Sequence, residues 1–319
     1  LTDPRRARLE ERRSQLSDEQ RRRLEERLRG SATAAPAPVR CLVEITPAPA
    51  SGRAPFFCVH PAGGDVLCFV PLARHLGPDQ PFYGLQSRGL EDDAEPFTTI
   101  EEMAEHYVAE IRSVQPSGPY RIGGWSFGGL AAFAMAHRLR AEGEEVALLA
   151  IVDTGPGFPD GAPPLRDEGE AGDPSRQLLD IAEYVRVLRG HDLGLAAEDL
   201  RGLDAEAQIR LFVERVQATG LMQSGDSQAR VRRLLRVQRA NILAYRAYRA
   251  RPWPGRITVF HGTRGDAAPE GLAPDLGWAP FSPEPVEVYA LPGDHIRLMA
   301  EPHIRALAAR LRARLDPES

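Results

Sequence analysis

The chain contains no lysine, so arginine supplies every side-chain cation other than histidine. That absence excludes a lysine Schiff base and the lysine of a nucleotide-binding phosphate loop. Cysteine is scarce as well. Cys41, Cys58 and Cys68 show neither C-x-x-C spacing nor a histidine cluster nearby, which argues against a zinc site and a disulfide framework and predicts reduced thiols in the cytoplasm. There is no run of about eighteen apolar residues and no signal-peptide pattern, so neither a membrane span nor secretion is expected. Basic excess is missing too: the net charge is −5, and a nucleic-acid partner would normally call for a positive stripe or field. What is present, 42% hydrophobic and 27% charged residues over 319 positions, describes a folded globular chain with room for one large domain or two modest ones. The chain begins at Leu1 rather than Met, and the expectation is of a piece excised or processed from something longer.

Residues 1–30 consist almost wholly of arginine, glutamate and spaced leucines: Leu9, Leu16, Leu24 and Leu28. An S-x-x-Q capping box at 17–20 and a stop at Gly30 predict two short helices with a thin apolar stripe. Such a segment reads as a solvated arm or as a docking helix for a neighbouring domain. A small-residue and proline linker, "SATAAPAPV", carries it to Val39, which leaves residues 40–315 as the main domain.

From there strand and helix patterns alternate. Near-continuous apolar runs at 39–46, 54–60, 81–86, 120–124, 146–153, 256–262 and 285–293 read as strands, the first two joined by a hairpin-type connection. Helical periodicity appears at 100–114, 127–143 and 299–314. Apolar strands alternating with helices predict an α/β fold with a mainly parallel central sheet and helices on both faces. Residues 155–250 break the rhythm with a Gly/Pro/Asp-rich opening followed by helices near 175–190, 204–219 and 227–250. A helical insertion between two sheet strands predicts a lid over the strands' C-terminal ends, where ligands bind in open α/β sheets.

The chemistry centres on "GGWSFGG" at 123–129. A serine in G-x-S-x-G, placed between a strand and a helix, sits on a sharp turn, with Gly124 and Gly128 required because side chains there would collide with neighbouring elements. A serine hydroxyl needs a base, and the base needs an orienting acid. Among His191, His261, His295 and His303, only His295 in "LPGDHIRL" lies on a loop just past the last strand, so Ser126 and His295 are the expected nucleophile and base. Asp153, tight at the end of its strand, is the expected acid, with Asp266 in a glycine-rich loop as the alternative; Asp294 is adjacent to the histidine and should diverge from it. "HPAGGDV" at 60–66 follows a strand where an oxyanion loop belongs, which nominates the backbone N–H groups of Ala62 and Phe127.

Taken together, "FFCVHPAGG", "PFYGLQSRGL", "GPYRIGGWSFGGLAAFAMAHRL", "VALLAIVDT" and "LPGDH" resemble the type I thioesterase domains that end nonribosomal peptide synthetases and hybrid polyketide synthases. The resemblance covers about residues 40–315. It implies an α/β-hydrolase fold with a lid at about 155–250, and it favours Asp153 as the acid. It implies no bound cofactor: a peptidyl or ketide chain arrives as a thioester on the phosphopantetheine arm of a carrier protein, encoded upstream in the same synthase. Ser126 then takes the acyl group, and hydrolysis or macrocyclisation releases it as an antibiotic-type product. The arginine-rich helices fall outside this resemblance. Two rivals remain: a free-standing editing thioesterase or generic serine ester hydrolase, and a catalytically silent hydrolase-fold interaction module.

Overall fold

In the computed structural model the described residues are 40–48, 52–158, 173–222, 225–263 and 273–316. The chain divides into a unit of Leu1–Val39 and a unit of Arg40–Ser319, and the second is the one described. The two helices expected in residues 1–30, the linker expected up to Val39 and the alternative acid Asp266 lie outside the described residues.

Among the described residues seven strands form one sheet: β1 (Leu42–Thr46), β2 (Phe56–Val59), β3 (Phe82–Leu85), β4 (Tyr120–Trp125), β5 (Val146–Val152), β6 (Thr258–Thr263) and β7 (Glu287–Pro292). Their spatial order is β1-β3-β2-β4-β5-β6-β7, and every pairing is parallel except that of β1 with β3. The expected hairpin between the first two strands is therefore wrong. β2 is buried along its whole length and lies between β3 and β4, whereas β1 is half exposed and sits at the edge. A strand covered on both faces belongs in the sheet interior.

Helices α1 (Val70–Leu76), α2 (Ile100–Arg112) and α3 (Phe127–Ala141) follow β2, β3 and β4. Helix α2 buries Ile100, Met103, Tyr107 and Ile111 along one stripe, and Thr99 caps it by accepting the Glu102 N–H. Helices α2 and α3 contribute to the apolar cluster on one face of the sheet. Helix α1 and the last helix, Ile304–Leu315, contribute to the cluster on the other. Helix α1 is not among the expected helices: it has only seven residues and a proline in its first turn, too short for a helical period to show. The last helix starts later than expected because Pro302 interrupts it; residues Arg297–Met299 form a separate 3₁₀ turn instead.

The chain steps from β2 to β3 on one side and then crosses to β4 on the other. That reversal opens a crevice beyond the C-terminal ends of β2 and β4, the place where open α/β sheets bind ligands. Between β5 and β6 the described residues form four lid helices: α4 (Ser175–Arg189), α5 (Ala197–Leu200), α6 (Ala205–Ala218) and α7 (Ser227–Ala247). They bury a core of their own around Leu178, Phe212, Val216 and Val231. An antiparallel bridge between Gly157 and Arg249 joins the two ends of the insertion. Among the described residues no helix is long and apolar enough to cross a membrane.

Candidate active site

Strand β4 runs straight into Ser126 and helix α3 begins at the next residue. Ser126 has φ 56° and ψ −127°, a conformation that an L-residue adopts only when its surroundings force it, at a cost of about 1–3 kcal/mol. The forcing groups are visible. A β-carbon on Gly124 would lie 2.1 Å from the Gly128 carbonyl oxygen, and one on Gly128 would lie 2.2 Å from the Val59 carbonyl oxygen. Only hydrogen fits at both positions, so the start of α3 is clamped against β2 and β4 and the serine hydroxyl is presented above the sheet.

Asp153 follows β5, also with positive φ (54°). One carboxylate oxygen accepts the Gly262 N–H at 2.8 Å; the other lies 2.6 Å from His295 Nδ1. His295 Nε2 lies 3.0 Å from Ser126 Oγ. The two bonds to Asp153 fix the imidazole tautomer with its proton on Nδ1, which leaves Nε2 free to accept the serine proton. Trp125, whose role the sequence left open, holds the histidine from behind. Its indole N–H donates to the His295 carbonyl at 3.2 Å, and its ring lies against both the imidazole and Tyr184 of lid helix α4.

The loop after β2 is a turn closed by the Gly64 N–H donating to the Pro61 carbonyl at 2.8 Å. Ala62 occupies the second position of that turn, where the N–H has no part in closing it. Phe127 is the first residue of α3, so its N–H is one of the unsatisfied donors at a helix start. Both residues border the same cavity as Ser126. These two residues are supported by a side chain that local sequence pattern does not single out. His60, fully buried, donates from Nδ1 to the Pro61 carbonyl at 2.7 Å, accepts from the Tyr107 hydroxyl at 2.8 Å, and stacks on the Phe127 ring at 5.5 Å. Burial pushes its pKa down to about 4, so the ring is neutral at pH 7. The H-P-A-G-G string carried a signal for it, but nothing in the sequence paired His60 with Tyr107 on α2.

The remaining candidates lie elsewhere. Asp294 pairs with Arg297, accepting its backbone N–H at 2.9 Å, and the carboxylate bonded to the imidazole is that of Asp153. His261 is buried on β6 and borders the cavity; among the described residues it has no hydrogen bond to Ser126. His191 follows α4, and His303 precedes the last helix. Cys41, Cys58 and Cys68 are buried free thiols, and burial raises the pKa of all three, that of Cys41 to about 12.

Two cavities meet at the serine. One, of about 690 Å³, lies between the loops after β5 and β6 and the end of α7. The other, of about 580 Å³, opens under the lid and is bordered by Ile181, Tyr184, Phe212 and Leu234, with Asp65 near its floor. Desolvation pushes the Asp65 carboxyl upward. Ala62, Ser126 and His295 border both cavities, so there is open space on both sides of the Ser126 hydroxyl.

A profile of the thioesterase domain family matches residues 54–315. The dimodular nonribosomal peptide synthase of Bacillus subtilis strain 168 is 34% identical over 229 residues, which is 72% of this chain and 9% of that synthase. A solved four-domain nonribosomal peptide synthetase superposes with a TM-score of 0.74 at 28% identity, covering 93% of this chain and 22% of the synthetase. The NocB thioesterase domain, solved as a covalent complex with a fluorophosphonate nocardicin G analog, gives a TM-score of 0.53 at 25% identity over 82% of this chain and 94% of that domain. The chain spans 2–29% of the length of the curated relatives it matches.

Proposed function

The chain belongs to the thioesterase domain family, with the hydrolase fold of its structural neighbours, and from that premise we propose that it releases a finished peptidyl or ketide chain from a carrier protein through an ester on Ser126. The observation that carries this reading is the position of Ser126 Oγ, 3.0 Å from a base whose other nitrogen is held by Asp153, at the junction of two cavities. The lid-side cavity, with its apolar lining, takes the acyl chain. The cavity beside the loops after β5 and β6 takes the phosphopantetheine arm. Relatives that are multidomain synthetases support a carrier domain as the partner, and the three unpaired thiols suit a reducing cytoplasm.

In the acylation step Ser126 Oγ attacks the thioester carbonyl carbon while His295 Nε2 takes the hydroxyl proton. Negative charge develops on the former carbonyl oxygen, where the Ala62 and Phe127 N–H groups receive it; removal of one such donor costs about 10²–10³ in kcat. The tetrahedral adduct collapses as the carbon–sulfur bond breaks, and the imidazolium returns its proton to the departing thiol. Asp153 stays ionised and stabilises the imidazolium. In the second step His295 deprotonates a new nucleophile, which displaces Ser126. Water gives a free acid; an internal hydroxyl or amine gives a ring, an outcome favoured when the lid excludes water.

A fluorophosphonate probe tests the reading. It should label wild-type protein stoichiometrically at Ser126 and leave Ser126→Ala untouched, in parallel with loss of acyl-thioester turnover. A folded wild-type protein that resists the probe and leaves thioesters intact would point to the silent interaction module instead.

A further inference from the structure

Among the described residues two histidines are buried, His60 and His261. His60 uses both ring nitrogens, on the Pro61 carbonyl and the Tyr107 hydroxyl. His261 has no hydrogen-bond partner among the described residues, although it is only 5% exposed, and it borders the cavity between the loops after β5 and β6. Its ring nitrogens are not among the polar atoms sealed inside the protein without a partner, so they open onto that cavity. A buried polar group left unpaired is unfavourable, and native folds keep few of them without a reason.

The sheet fixes where this imidazole stands. Trp125 pairs with Val152 and Val152 with Phe260, so the next residues along three neighbouring strands are Ser126, Asp153 and His261. His261 lies between two residues that bond to the catalytic acid: Phe260 accepts the Asp153 N–H at 2.7 Å, and Gly262 donates to the Asp153 carboxylate at 2.8 Å. Adjacent strands are about 4.8 Å apart, which puts the His261 backbone about 10 Å from that of Ser126. Side chains alternate along β6, with Phe260 in one apolar cluster and Val259 in the other, so His261 shares the Val259 face with helices α2 and α3. A carbonyl carbon bonded to Ser126 carries its sulfur one bond away and, in a pantetheine thioester, an amide nitrogen three bonds farther on. Extended chain advances about 3.6 Å per three bonds, so this amide begins about 5 Å from the reacting carbon, a separation that an imidazole reaching into the cavity can close.

We propose that His261 binds the thiol half of the substrate, hydrogen-bonding the amide nearest the sulfur of the phosphopantetheine arm. The inference rests on the chain-release reading above, which sends the arm into this cavity. In its neutral form an imidazole offers one N–H donor and one acceptor, and a secondary amide presents the complementary pair. The acyl chain differs from one substrate to another, whereas this amide is the same on every thioester a carrier delivers. A fixed polar partner on the arm side therefore serves any acyl chain and holds the sulfur beside His295 Nε2, which returns the proton to it.

The test attaches one acyl group to three thiols: ethanethiol, with no amide; N-acetylcysteamine, which adds the amide nearest the sulfur; and pantetheine, which adds a second. Each thioester is offered to wild type, to His261→Phe, which keeps a ring without nitrogens, and to His261→Gln, which keeps a donor and an acceptor. His261→Leu stands in if the phenylalanine variant folds poorly. The kcat/KM ratio of the N-acetylcysteamine thioester to the ethyl thioester should be about tenfold lower in His261→Phe than in wild type, the scale of one net hydrogen bond, and largely restored in His261→Gln. The ratio of the pantetheine to the N-acetylcysteamine thioester should stay within about twofold. Fluorophosphonate labelling of Ser126, which involves no arm, reads the triad separately. An equal loss on all three thioesters, with labelling slowed in step, makes His261 a support of the triad and overturns the proposal. Wild-type ratios in a folded His261→Phe overturn it as well and leave the chain-release reading standing. A wild-type protein that resists the probe and leaves all three thioesters intact removes that reading, and the proposal falls with it.

Discussion

His60 gives the fold an acid sensitivity whose size follows from its surroundings. In the unfolded chain the imidazole titrates near its ordinary value of about 6.5; in the folded protein burial pushes it down to about 4. Between those values the unfolded state binds a proton that the folded state refuses. Stability from this group is therefore complete above about pH 6.5, declines as the pH falls, and is spent below about pH 4, where both states are protonated. The difference corresponds to about 3 kcal/mol in full, most of it lost by pH 4.5. Other groups add their own acid dependence, so the assay compares wild type with His60→Gln by urea denaturation at pH 7.5 and 4.5. The variant should be the less stable at pH 7.5, because it loses the paired bonds to Pro61 and Tyr107, yet its further loss on acidification should be smaller by about 2 kcal/mol. Equal losses in the two proteins would refute the reasoning, as would an imidazole resonance of His60 that titrates near pH 6.5.

Three further substitutions probe the site. Gly128→Ala places a methyl group 2.2 Å from the Val59 carbonyl oxygen; relief needs α3 to move by about 1 Å, so stability should drop by about 1–3 kcal/mol and probe labelling of Ser126 should slow about a hundredfold. Normal labelling kinetics would contradict this. Asp153→Asn must choose between the Gly262 N–H and the imidazole; stabilisation of the wrong tautomer should cut kcat by about 10³–10⁴, measured on a model thioester. Trp125→Phe keeps the packing on Tyr184 and loses the bond to the His295 carbonyl, and a roughly tenfold fall in kcat at unchanged KM is expected.

Much of this molecule is legible from local pattern. The apolar runs at 120–125 and 146–152 and the amphipathic stripe of Ile100, Met103, Tyr107 and Ile111 read directly as elements because each spans a full period of burial. The strand-turn-helix at Ser126, the strand-end aspartate and the loop histidine are also readable, since their positions along the chain place them at one edge of a parallel sheet. What escapes the sequence is pairing between distant segments. β1 is an ordinary strand by pattern, and only the exposure of its outer side assigns it to the edge beside β3 rather than to β2. Helix α1 is too short for its periodicity to show, and Pro302 shifts the last helix by terminating a pattern that continues through it. His60 with Tyr107, Trp125 with the His295 carbonyl, and Asn241 with the Ala62 carbonyl join residues 47, 170 and 179 positions apart. Each is a polar group in an apolar setting whose partner only the folded chain identifies.

The proposed release passes through a covalent acyl group on Ser126. Intact-protein mass spectrometry after rapid mixing with a peptidyl-pantetheine thioester addresses this directly, because the ester adds the mass of the acyl chain while the thiol departs. The expected result is a transient acyl adduct on wild-type protein, mapped by fragmentation to Ser126, prolonged in Asp153→Asn and missing in Ser126→Ala. Release of the acyl chain with no adduct at any time, and undiminished release by Ser126→Ala, would contradict it.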